Sequence, residues 1–103
     1  MAYRSAILWA LMFQSFKCVD TESLQQRRRV ARWISIEAVA RRKLDQLDAA
    51  GGLRDLASPP GNRLEALRGN RQGQHSIRDN VQFRVCFVWT PQGPKDVEIV
   101  DDH

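Results

Sequence analysis

The sequence predicts an α+β fold, with two N-terminal helices packed on one face of a curved, mainly antiparallel sheet of four to five strands. Three observations predict it. Residues 36–50 carry Ile36, Val39, Ala40, Leu44 and Leu47 at i, i+3/i+4 spacing, one apolar helical stripe. From Arg63 onward the pattern changes to short alternating runs separated by Gly, Asn and Asp turns. The 103 residues correspond to about one small domain, enough for a modest core.

The elements follow in chain order. MFQSFKC (residues 12–18) alternates apolar and polar side chains and reads as a first strand. Asp20 or Thr21 then offers an N-cap for a helix through Leu24 to about Trp33, with Glu22 in its first turn. That helix would carry QQRRRVARW, a basic cluster of Arg27, Arg28, Arg29 and Arg32 that reads equally as a solvated face or as a surface for an acidic or nucleic-acid partner. Ser35 is positioned to cap the second helix, over residues 36–50. Gly51 and Gly52 would end it by taking a left-handed cap conformation. LRDLASPPGN is a connector, because Pro59-Pro60-Gly61 continues neither a helix nor a central strand.

RLEALRG, GQHSIRD and QFRVCFVWT then read as successive strands. In the last of them Phe83, Val85, Phe87 and Trp89 share one face, and Arg84, Cys86 and Val88 share the other. Residues 91–94 (PQGP) form a turn, and KDVEIVD is the closing strand.

The formal net charge is +4, and thirteen of the sixteen basic residues are arginine. A guanidinium forks onto phosphate or carboxylate with two parallel hydrogen bonds, which an ammonium cannot do. A basic, arginine-rich small domain points to an anionic partner. Cys18 and Cys86 are far apart, lack metal-site spacing, and read as reduced core-type thiols of a cytoplasmic protein. The apolar run AILWALMF (residues 6–13) is too short to span a bilayer, and no small-residue cleavage site follows it. No Walker-type loop, zinc pattern, serine elbow or dinucleotide fingerprint is present.

Chemistry concentrates in the second half. Arg68, Arg71, Arg78 and Arg84 fall in the meander with Glu65 and His75, and Asp101, Asp102 and His103 follow on the last strand. Arginines around histidine and carboxylate suit phosphodiester chemistry: the cations hold phosphate and stabilise added negative charge, and the titratable groups move protons. The blander alternatives are a structural His75 and a paired Arg84. Adjacent residues of a strand point to opposite faces, so Asp101, Asp102 and His103 would not bind one metal ion without a bend.

The stretch PPGNRLEALRGNRQGQHSIRDNVQFRVCFVW, closed by VEIVDDH, resembles the HigB branch of the RelE/ParE toxin superfamily, and within it the GraT-type toxins. MFQSFKCVDTE and KLDQLDAA resemble the same proteins, so the likeness covers residues 12–103 as one RelE/ParE-like domain. Residues 1–11 are then expected to be an extension upstream of the usual start that adds little to the core. The resemblance implies a cytoplasmic, ribosome-dependent endoribonuclease that enters the ribosomal A site, cuts messenger RNA there and needs no metal or other cofactor. It implies a helix-turn-helix antitoxin of the HigA/GraA type as partner, contact with operator DNA only through that antitoxin, and no membrane association.

Residue by residue, the resemblance implies phosphate binding and transition-state stabilisation for Arg84. Arg68 stands where the family often has lysine, and a guanidinium there acts electrostatically because it is a poor proton acceptor. Glu65 stands where several relatives have histidine, which moves the general-base role. Arg71 matches an arginine expected to contact phosphate or ribosomal RNA, with His75 and Arg78 as further RNA contacts. Asp101 and His103 match the terminal acid and histidine. Asp102 replaces a usual tyrosine, removing a ring that stacks on a base and adding negative charge, so weakened cleavage is expected. The competing expectations are a ParE-like toxin that poisons DNA gyrase without cutting RNA, or a chain acting mainly as operon co-repressor with its antitoxin.

Overall fold

A computed structural model of the chain describes residues 15–58 and 60–101. Residues 1–14, Pro59, Asp102 and His103 lie outside the described residues, and with them the expected N-terminal extension, the start of the first strand and two positions of the terminal motif. The described elements are α1 (Val19–Gln25), a 3-10 helix (Ala31–Ile36), α2 (Glu37–Ala49), β1 (Glu65–Ala66), β2 (His75–Arg78), β3 (Phe83–Thr90) and β4 (Gly93–Asp101), with shorter 3-10 turns at Leu53–Ala57, Pro60–Asn62 and Gly69–Arg71. The four strands form one antiparallel meander in the order β1-β2-β3-β4. The α+β expectation therefore holds. No helix among the described residues is long and apolar enough to cross a membrane.

The core lies between the helices and one face of the sheet. Leu24 of α1, Trp33 and Ile36 of the 3-10 helix, and Ala40, Leu44 and Leu47 of α2 meet Ile77, Val85, Phe87, Val97 and Ile99 from the strands. Each fully buried leucine, isoleucine, valine or phenylalanine side chain here contributes about 1.5–3 kcal/mol relative to exposure. The stripe read for α2 is the one that packs: Ile36, Ala40, Leu44 and Leu47 are buried and Val39 is half-buried. On β3, Val85 and Phe87 are core and Phe83 and Trp89 pack against it, as the alternation predicts.

The first segment is strand-like at Phe16, which bridges Val97 in parallel. Lys17 N–H donates to the Val97 carbonyl at 3.0 Å, and Val97 N–H donates to the Ser15 carbonyl at 3.1 Å. A register shift between Cys86 and Val88, with Asp96 at φ +53, turns that part of β4 toward Ser15. Asp96 N–H donates to Ser15 Oγ at 2.8 Å, and Ile99 N–H donates to the buried Thr21 Oγ1 at 3.0 Å. The outer edge of β4 is thus satisfied by the chain's own N-terminal segment and α1, which leaves those edge groups unavailable for pairing with another chain.

Several local expectations are corrected. The first helix does not run to Trp33 but ends at Gln25. Arg27 takes the left-handed region at φ +69, Arg27 N–H donates to the Leu24 carbonyl and Arg28 N–H to the Ser23 carbonyl. This is the double closure of a Schellman motif, built on arginine rather than glycine. Its cap is Cys18, with no side-chain cap bond, rather than Asp20 or Thr21. Thr21 serves the sheet instead. Ser35 does not cap α2: the 3-10 helix runs directly into it, and Ile36 is the cap without a side-chain bond.

Gly51 and Gly52 do not supply a left-handed cap either. The helix leaves through Ala50 in extended conformation (φ −69, ψ 130), and Gly51 N–H is taken by Asp55 Oδ2 at 2.9 Å. RLEALRG pairs only over Glu65 and Ala66, because the chain then turns into Gly69–Arg71 with Gly69 at φ +63. The PQGP turn is tighter than expected. Thr90 pairs with Gly93, so only Pro91 and Gln92 form the loop, and Gly93 and Pro94 belong to β4.

Candidate active site

Strand alternation puts Arg84 and Cys86 on the sheet face turned away from the helices, with Ser76, Glu65, Glu98 and Val100 paired beside them. Arg84 is 9% exposed, so its charge needs partners. Its Nε donates to Ser76 Oγ at 2.7 Å, its Nη2 donates to the Arg63 carbonyl at 3.0 Å, and the same Nη2 lies 3.2 Å from Glu65 Oε1. Two of these acceptors are neutral and orient the guanidinium without neutralising it, and the third is a carboxylate. Glu65 is mostly exposed and stands at the rim.

Beside Arg84 opens a depression of about 310 Å³ lined by Glu65, Leu67, Arg71, Arg84, Cys86, Val100 and Asp101. Arg71 enters from the Gly69–Arg71 turn. Its Nη1 donates to Glu98 Oε1 at 2.8 Å and to Gln74 Oε1 at 3.1 Å. The hydrogen bond to Glu98 holds the Arg71 guanidinium above its ordinary pKa, against partial burial. The depression therefore has a buried cation on one side, a half-buried cation on the other and a carboxylate at its rim. Such a site can clamp a phosphodiester and offer a proton acceptor to it.

Of the residues singled out in the sequence, Glu65, Arg71, Arg84 and Asp101 come together around this depression. Asp101 ends β4 opposite Phe83, and its Oδ2 accepts from Gln82 Nε2 at 3.0 Å. Arg68 is exposed in the turn before Gly69 and does not line the depression. Arg78 pairs with Arg84 across β2 and β3, and its Nε donates to the Asn80 carbonyl at 3.0 Å. His75 does not join them. It pairs with Phe87, stacks on that ring at 6.3 Å between centroids, and therefore lies on the helix side of the sheet. The period-2 pattern of HSIR carried this signal, since His75 alternates with the same face as Ile77. His103 and Asp102 lie outside the described residues.

Sequence reasoning missed Ser76, Glu98 and Asn62, which orient the arginines or anchor the turn beside them. It also missed Asp79, buried at 7% exposure, whose two carboxylate oxygens have no hydrogen-bond partner among the described residues. Burial pushes the Asp79 carboxyl up to about 7, opposed by the nearby charges of Lys43 and Arg84.

Residues 21–103 match the family model described as the RelE-like toxin of type II toxin-antitoxin system HigB. The chain is 54% identical over 55 residues to Toxin HigB-1 of Vibrio cholerae serotype O1, a match covering 53% of this chain and 58% of that protein. It is 43% identical over 51 residues to an uncharacterized protein of Haemophilus influenzae, covering 50% of each. The matched stretch thus spans about half the length of these curated relatives. With four-fifths of its length matched by the family model and the α+β meander in place, the chain belongs to the HigB-like family of RelE-like toxins of type II toxin-antitoxin systems.

Proposed function

We propose that this toxin is a metal-independent, ribosome-dependent endoribonuclease that cuts messenger RNA in the ribosomal A site and so stops translation. The observation that carries the reading is Arg84: a nearly buried guanidinium, oriented by Ser76 and the Arg63 carbonyl, at the wall of an open depression that Arg71 and Glu65 also line. A ribose 2′-hydroxyl attacks the adjacent phosphorus. The new P–O2′ bond forms as the P–O5′ bond breaks, leaving a cyclic phosphate and a 5′-hydroxyl. Glu65 takes the 2′-hydroxyl proton, and His103 returns a proton to the departing oxygen. Arg84 stabilises the extra negative charge on the phosphoryl oxygens.

Arg71 and Arg78 hold flanking phosphates, while Arg68 contributes from the exposed turn. Asp101 supports the terminal end of the site. The RNA-binding role expected for His75 is the least supported of the set, since it faces the helices. A type II toxin has an antitoxin partner, here proposed to be of the helix-turn-helix HigA/GraA type. Asp102 favours an attenuated enzyme, since an aspartate provides no stacking ring and repels the backbone.

The test is sequencing of messenger RNA ends after induction of the wild type, Arg84→Ala and Asp102→Tyr. Codon-spaced cuts that vanish in Arg84→Ala and strengthen in Asp102→Tyr support the reading. Growth arrest with intact messages and altered plasmid supercoiling would instead identify a gyrase-directed toxin.

A further inference from the structure

Arg84 hangs from a turn that is itself pinned from the far side of the core. Asn62 is fully buried at 0% exposure, and every polar atom of its amide is engaged. Its Oδ1 accepts from Lys43 Nζ of α2. Its Nδ2 donates to Gln46 Oε1 of α2 and to the Leu56 carbonyl, each at 3.1 Å. A primary amide with acceptor and donors all satisfied in a dry setting has one orientation, because any rotation strands a buried polar group.

The next residue carries an unusual backbone conformation. Arg63 sits at φ +47, in the left-handed region, although its side chain is exposed and nothing about arginine favours the conformation. Its N–H donates back to the Pro60 carbonyl at 3.1 Å. Its carbonyl is thereby turned to accept from Arg84 Nη2 at 3.0 Å. A strained dihedral persists only where its surroundings over-determine it, and the buried, fully bonded Asn62 is its immediate neighbour in the chain.

We propose that Asn62 is a positioning residue for Arg84, acting through the left-handed Arg63 and its carbonyl oxygen. The inference rests on the reading of Arg84 as the cation that stabilises the reacting phosphate. Ser76 holds the guanidinium at Nε, and at Nη2 the Arg63 carbonyl holds it together with the exposed Glu65, of which the backbone carbonyl is the rigid partner. Losing the carbonyl leaves the charge in place and loosens the plane, because the remaining Nη2 partner, Glu65, is a mostly exposed side chain. Binding of RNA then survives better than the rate of its cleavage, because a misplaced group costs most in the transition state.

The experiment uses four variants of the full chain: Asn62→Asp, Arg63→Val, Arg63→Gly and Arg84→Ala. Asn62→Asp keeps the acceptor for Lys43 and removes both donations of the amide. Arg63→Val opposes the left-handed conformation, whereas Arg63→Gly accepts it and keeps the carbonyl. Thermal melting establishes that each is folded; should Asn62→Asp fail to fold, Asn62→Ser takes its place, while the Arg63 pair tests the left-handed carbonyl. The first readout is nitrogen NMR of the Arg84 side chain, following rotation of the guanidinium about its Nε–Cζ bond. Rotation is expected to quicken about fivefold in Asn62→Asp and Arg63→Val, the factor that goes with one lost hydrogen bond, and to stay unchanged in Arg63→Gly. The second readout is single-turnover cleavage on ribosomes programmed with a messenger and an empty A site. At saturating ribosomes the rate is expected to fall roughly ten- to hundredfold in Arg63→Val and to stay within about twofold in Arg63→Gly, with similar half-saturation for both. Equal rotation in all three Asn62 and Arg63 variants overturns the positioning role. Full cleavage by Arg84→Ala instead overturns the catalytic reading of Arg84, and the rotation data still decide whether Asn62 positions it.

Discussion

Arg27, Arg29 and Arg32 lie on the surface beside the helices, and Arg84 lies on the opposite side of the core, at the wall of the depression. The first three keep more than half of their side-chain surface in water, with Asp45, Glu37 and Asp20 as partners, whereas Arg84 keeps 11%. Their partners also differ in kind. Each helix-side arginine meets a carboxylate that neutralises it, at 2.8 Å for Arg27–Asp45, 3.2 Å for Arg29–Glu37 and 3.1 Å for Arg32–Asp20. Arg84 Nε meets a hydroxyl, and its Nη2 meets a backbone carbonyl and the rim carboxylate of Glu65. A guanidinium held partly by neutral acceptors in a drier setting keeps a field that an anion can use, while one matched to a carboxylate in water keeps little. The arginine count of the sequence thus conceals two populations, and only the second bears on chemistry.

The largest test of this contrast is Arg84→Ala, which is expected to lower single-turnover cleavage by about 10²–10³-fold, the usual cost of removing one preorganised donor. Loss of less than tenfold, measured on the same programmed ribosomes, would place the chemistry elsewhere. Asp79→Asn comes next, because Asp79 is the buried acid that feels both Lys43 and Arg84. Its folded pKa of about 7 lies above the ordinary carboxylate value of 3.8, so the folded state holds a proton that the unfolded chain gives up. The wild type should therefore be most stable at or below about pH 4 with respect to this group, losing a few kcal/mol between about pH 4 and 7, with the loss levelling off above the folded pKa. Chemical denaturation across that window should show a slope in the wild type that flattens in Asp79→Asn. Equal slopes would remove Asp79 from the account.

A smaller effect is expected at Arg71. Because it shares its charge with Glu98 at the side of the depression, Arg71→Met should weaken association with ribosomes while leaving the rate at saturation within a few-fold. The salt dependence of association should flatten by about one phosphate contact, which titrations at several salt concentrations would read. The smallest effects belong to the helix-side arginines. Arg29→Gln and Arg32→Gln should each cost no more than about 1 kcal/mol in denaturation and leave cleavage unchanged. Arg27 sharpens the point, since it pairs with Asp45 and also occupies a left-handed cap. Arg27→Gly should come within about 1 kcal/mol of the wild type, and Arg27→Val should be clearly worse, because valine loses the ion pair without easing the backbone.

What could be read from the sequence follows the same division between local and distant causes. The stripe of α2 and the alternation of β3 were legible because burial repeats with the period of the element, so Leu44 and Phe87 announce their own faces. The end of α1 was not legible. QQRRRVARW contains good helix formers, and what stops the helix is a left-handed arginine whose ion-pair partner, Asp45, lies 18 residues away. The shortness of β1 and the tightness of the Pro91–Gln92 loop likewise depend on pairing that no single run contains.

For the site, the motif spacing brought out Glu65, Arg71 and Arg84, which do converge. Their supports were hidden. Ser76 and Glu98 read as ordinary solvent-side residues of alternating strands, and Asn62 reads as a turn residue, because a buried amide looks the same in sequence as an exposed one. His75 was misjudged for the opposite reason. Its chemistry drew attention, while its strand parity already directed it to Phe87.

The seam between Ser15–Lys17 and β4 also bears on the order in which the molecule becomes itself. Ser15 and Asp96 are 81 positions apart, and Thr21 and Ile99 are 78 apart, so these contacts are among the longest loops the chain must close. Closing them has the highest entropic cost, and topologies with such distant partners fold more slowly than local ones. During synthesis the N-terminal segment is made first but has nothing to pair with until β4 has followed it. The contacts that seal the outer edge of β4 join the first described residues to the last, so the growing chain can complete them only near the end of its synthesis.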